Sequence, residues 1–143
     1  MRKVLVTAVL AASLVIVLAV PAAASDHTIN GSLVITSGLA PTGVTNTQIL
    51  SCDGSGTSDG FSDLTAGAAV KVKNEKDKTI GVGSLKSGHY NDSLDCIMKF
   101  TVKVPDANTY QVEVSHRGAL VYTKKQMEHQ HWKVQLSIDG SSS

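Results

Sequence analysis

The chain has 143 residues, with 13 lysines and arginines against 12 aspartates and glutamates, and only 4% aromatic residues. That length suits one domain. A formal charge of +1 removes any global electrostatic reason to bind nucleic acid or an anionic membrane.

Met1-Arg2-Lys3 is a short basic opening, and Val4 to Val20 follows without a charge. Pro21-Ala22-Ala23-Ala24 then offers small residues where an export peptidase reads them. The pattern predicts a signal peptide over 1–24, cut after Ala24, and a secreted, extracytoplasmic mature chain with no membrane contact after cleavage. The alternative is an N-terminal membrane anchor that stays uncut. Cleavage removes Arg2 and Lys3 and no acid, so the mature charge turns slightly negative. Two cysteines in an exported chain pair with each other, which makes Cys52–Cys96 a disulfide. A loop of that length contributes roughly 4 kcal/mol in the chain-entropy account.

Residues 25–29 are polar and expected to fray. "NGSLVITSG" reads as a first strand, while "LAPTGVTNTQILS" and "CDGSGTSDGFSDL" read as loop. "AAVKVKN" alternates, with Val70 and Val72 on one face and Lys71 and Lys73 on the other. After the polar turn "EKDK", "TIGVGSL" has Ile80 and Val82 on one face, completing a hairpin. "SGHYNDSLD" is loop. "CIMKFTVKVP" puts Cys96, Met98, Phe100, Val102 and Val104 inward and Lys99, Thr101 and Lys103 outward, ended by Pro105. "TYQVEVSHR" alternates the same way, with Tyr110, Val112 and Val114 inward. "ALVYT" is a short strand, and "KKQMEHQ" fits one helical turn or a polar loop. "HWKVQLSID" closes the domain with Trp132, Val134, Leu136 and Ile138 on one face. The expectation is an all-β fold, an antiparallel β-sandwich of about seven strands over 25–139, followed by a disordered tail over 140–143.

Asp106 ahead of Tyr110 in "PDANTYQVEV" resembles the tyrosine corner of immunoglobulin-like sandwiches. Val112 stands where an antibody domain has its second cysteine, and the only tryptophan lies near the end. "TAGAAVKVKNEKDKTIGVGSL" is similar to the hairpin of transthyretin-like sandwiches. Cys52, Gly54, Gly60 to Leu64, Cys96, Phe100, Val102, Val104-Pro105, Tyr110, Val112 to Val114, Arg117-Gly118 and Trp132 resemble the pattern of small exported actinobacterial envelope proteins and lipoproteins of unknown function. The resemblance covers about residues 50 to 138 and implies a fold and an address, with no catalytic residue to carry over.

Three groups of residues bear on chemistry. Asp53, Asp59 and Asp63 lie among glycines and hydroxyls, as calcium ligands do. A calcium loop of the helix-loop-helix type wants a turn glycine and a closing glutamate, yet a register starting at Asp53 puts Ser58 and Leu64 there. A turn held by glycines and aspartate side chains explains the stretch as well. His129 and His131 share a face if the last strand starts that early, a spacing that binds zinc or copper, but Lys133 shares that face and opposes a cation. Lys71, Lys73, Lys99, Lys103 and Lys133 all point outward, and form one basic face if their strands share a sheet. Lysine on exposed strands also protects edges from pairing. No spacing ties a nucleophile to a base and an oxyanion donor, so no enzyme is expected and no cofactor is called for. The resulting expectation is a secreted, non-catalytic module with a binding or structural role in the envelope or extracellular space and an unidentified partner there. The alternative is an extracytoplasmic metal-binding protein.

Overall fold

A computed structural model describes residues 26–36, 51–54 and 60–139. The expected signal peptide, the stretch 37–50, Asp59 and the expected tail lie outside the described residues. Among those described, the order is β1 (His27–Thr36), β2 (Ser51–Cys52), β3 (Ala69–Lys73), β4 (Thr79–Ser84), β5 (Gly88–Tyr90), β6 (Cys96–Val104), β7 (Thr109–Val114), β8 (Ala119–Thr123), α1 (Lys124–His129) and β9 (Lys133–Asp139). They form an all-β architecture of two sheets, ordered β2-β5-β6-β1-β9 and β4-β3-β7-β8. No described helix is long and apolar enough to cross a membrane.

The period-2 pattern dictates the packing. In β6 every inward residue from Cys96 to Val104 is buried, and Lys99, Thr101 and Lys103 are exposed. Val70 and Val72 of β3 and Tyr110, Val112 and Val114 of β7 meet Ile29, Leu33 and Ile35 of β1 across the interior in one cluster. Gly31 pairs with Phe100, and a Cβ at Gly31 would lie 1.9 Å from the Phe100 ring. The missing side chain is the space that the aromatic fills. The Cys52–Cys96 disulfide, with its Cα atoms 5.8 Å apart, joins β2 to β6 across β5. Such a bond points to an extracytoplasmic environment.

Several expectations are corrected. Strand β1 starts at His27 and Ile29 is fully buried, so 27–29 do not fray. The supposed loops contain β2 and β5, edge strands too short to show a period. The sheets are not wholly antiparallel, because β1 pairs antiparallel with β6 and parallel with β9. Val82 does not share a buried face with Ile80. It pairs with Lys71 on the outside, 65% exposed, and the inward places of β4 belong to Gly81 and Gly83. β4 lies directly on the β6 backbone, where a Cβ at Gly81 would come within 2.6 Å of the Lys103 carbonyl oxygen and one at Gly83 within 2.5 Å of that of Thr101. A valine there has no room. A β-bulge at Val72/Lys73 shifts the register beyond.

Between β8 and β9 the chain takes one helical turn. The Thr123 side chain accepts from the Gln126 backbone N–H, and the Gln126 side chain accepts from the Thr123 N–H, forming a capping box. This turn buries Met127 completely and joins β8 to β9, the edge strands of the two sheets.

Candidate functional site

The proposed histidine pair does not form. His129 ends α1, His131 is in the turn with φ +52°, and β9 begins only at Lys133. The strand starts too late for both rings to share its face. Trp132 also lies outside the strand, at φ +59°. A left-handed conformation is costly for so bulky a residue. Its backbone is held from both sides: its N–H donates to the Met127 carbonyl at 2.8 Å, and its carbonyl accepts from Asn30 at 2.9 Å. The indole stacks on His27 at 3.8 Å and meets Tyr110 edge-on at 5.3 Å.

Around that indole the first strand is tied to the β6–β7 turn. His27 Nε2 lies 3.2 Å from Asp106 Oδ1, and Lys124 Nζ donates to Asp106 Oδ2 at 2.8 Å. The Lys124 hydrogen bond, ahead of the His27 ring, holds the Asp106 carboxyl below its ordinary value. The Tyr110 hydroxyl accepts the Ala107 N–H at 2.8 Å and donates to the Pro105 carbonyl at 3.4 Å. The Asp106 carboxylate turns instead to His27 and Lys124, and its backbone lies between the two partners of the Tyr110 hydroxyl. The cluster joins four elements or their ends, and its geometry is that of a clasp.

The aspartate loop is also tied up internally. The Arg117 guanidinium donates to both carboxylate oxygens of Asp63 and to the Gly60 carbonyl, and lies 4.6 Å above the Phe61 ring. The Arg117 hydrogen bond brings the Asp63 carboxyl from 3.8 down to about 2. Asp63 therefore serves an arginine, while Asp53 lies beyond the turn closed by the Gly54 N–H and the Leu64 carbonyl at 2.8 Å. His116 sits exposed in the β7–β8 turn. Among the described residues no group of three or more His, Cys, Asp or Glu could hold a metal ion.

The five lysines do not form one face, because β3 and β6 belong to different sheets. Lys71 and Lys73 point from the outer face of the four-stranded sheet, where Lys73 pairs with Glu113 at 3.4 Å and with Asp77 at 3.6 Å. Lys99, Lys103 and Lys133 point from the outer face of the five-stranded sheet. An open groove of about 480 Å³ runs there between Lys99 and Lys133, lined also by Asn30, Gly31, Ser32 and Gln135.

A separate cleft of about 190 Å³ opens between β8 and β9, lined by Leu33, Val114, Leu120, Leu136 and Ile138 with Arg117 at its rim. It is smaller than a drug-sized site, and its one charged group is already committed to Asp63. No protein-family profile, curated protein or solved structure matches the chain.

The Trp132 clasp and the Arg117–Asp63 pair went unread in the sequence. Each joins residues far apart in the chain, so no local spacing marks it. The capping box of α1 was readable, since Thr123 and Gln126 have its spacing.

Proposed function

We propose that the protein is an exported, non-catalytic β-sandwich module that binds or builds in the cell envelope or extracellular space. The observation that carries this reading is the Cys52–Cys96 disulfide, a bond that persists in oxidising compartments. The export pattern of residues 1–24 supports the same address. The Tyr110 hydroxyl turned back onto Ala107 and Pro105 supports the immunoglobulin-like kinship, and so does the resemblance to exported actinobacterial envelope proteins. His27, Asp63, Asp106 and Glu113 serve ion pairs and stacking, which suits a binding role better than turnover.

Expression of the full chain in an exporting bacterial host tests the reading. The expected product is an extracytoplasmic protein starting at Ser25 whose thiols react with alkylating agents only after reduction. An intact chain in the cytoplasm with two reactive thiols would overturn it. An intact chain in the membrane fraction would mark the anchored alternative.

A further inference from the structure

The outer face of the five-stranded sheet differs from the rest of the surface. Alternation in β1, β6 and β9 turns Thr28, Asn30, Ser32, Lys99, Thr101, Lys103, Lys133 and Gln135 outward together. Register sets Asn30 between Lys133 and Thr101, and Ser32 between Gln135 and Lys99. Lys99 and Lys103 stand about 13 Å apart along one strand, and Lys133 is two strands away, about 10 Å across. The carboxylates flanking these strands, Asp26 before β1, Asp95 before β6, Asp106 after it and Asp139 ending β9, stand at the two ends of the face. Lys71 and Lys73, by contrast, share the opposite face with Glu113. Thus a near-neutral protein sets three lysines on this face, interleaved with hydroxyl and amide groups around the open groove.

From this face we infer that the protein binds a linear phosphodiester polymer with hydroxylated repeats, lodged along the groove between Lys99 and Lys133. The inference rests on the exported address proposed above. Point-like ammonium groups match phosphate charge, and Asn30, Ser32, Thr101 and Gln135 can exchange hydrogen bonds with the hydroxyls between phosphates. The outward residues of β1, β6 and β9 include no Trp, Tyr or Phe, so the face has no platform for sugar rings or bases. A flexible polyol phosphate needs none. A bilayer fits less well, because the exposed large apolar side chains Val82, Leu94, Leu120 and Val121 all lie off this face, and its outward apolar residues Val34 and Ile97 are buried and half-buried.

The test uses the exported, oxidised protein and purified poly(glycerol phosphate) in a calorimetric titration. Binding should weaken as salt rises, and the triple variant Lys99→Gln, Lys103→Gln, Lys133→Gln should lose about tenfold or more in affinity. The double variant Lys71→Gln, Lys73→Gln should keep the parent affinity, neutral dextran should not bind, and all melting temperatures should agree. No binding by the parent, or equal losses in the two variants, would overturn the assignment. So would binding to phosphatidylglycerol vesicles without binding to the polymer. Localisation and thiol state are read separately, so failed binding by a properly exported, oxidised protein sinks this inference and leaves the address standing.

Discussion

Gly31 shows how much one missing side chain decides. It sits in the middle of β1, where glycine ordinarily weakens a strand, but its empty place holds the ring of Phe100 opposite. Gly31→Ala should cost about 1–3 kcal/mol in urea unfolding, because the ring must leave its rotamer. Gly31→Ala combined with Phe100→Leu should recover part of that loss. Asp63 makes a prediction of opposite visibility, small but signed. Its folded pKa of about 2 lies below its ordinary 3.8, so its contribution is present above about pH 4 and disappears as pH falls through 2. The pair is partly exposed, which limits it to under about 1 kcal/mol. Thermal melts of the parent should therefore drop between pH 4 and pH 2 by slightly more than those of Asp63→Asn. Identical slopes would show that the pair contributes nothing.

At the scale of elements, α1 does work out of proportion to its length. Six residues are too few for a helix to stand alone, so its stability comes from the capping box and from Met127 in the core. Met127→Ala should cost about 2–5 kcal/mol, as for any fully buried methionine. Thr123→Ala should cost about 1 kcal/mol through the lost cap. Denaturant titrations of both variants check this, and a Met127→Ala cost near zero would show that the turn is not part of the core. β4 works in the reverse sense. It approaches β6 by lacking side chains at Gly81 and Gly83, so its apolar Val82 is displaced to the surface.

For the whole molecule, the first and last described strands lie side by side in one sheet, and the disulfide staples that same sheet. β1 lies between β6 and β9, and Cys96 at the start of β6 fastens β2. Cys52→Ala with Cys96→Ala should lower stability by about 2–5 kcal/mol, read as an earlier denaturant midpoint than that of the oxidised parent. Alternation was legible wherever a strand buries one face, which is why β3, β6 and β7 were found with the correct residues inside. The pairing of the cysteines was legible because two cysteines leave one choice of partner. The short edge strands were not legible, since two or three residues show no period. The parallel β1–β9 pairing, the Trp132 clasp, the Asp63–Arg117 pair and the division of the lysines between two faces were set by the tertiary structure alone. The period of a strand says which residues point together. Which strands share a sheet, and so whether five lysines make one surface or two, depends on contacts between segments far apart in the chain.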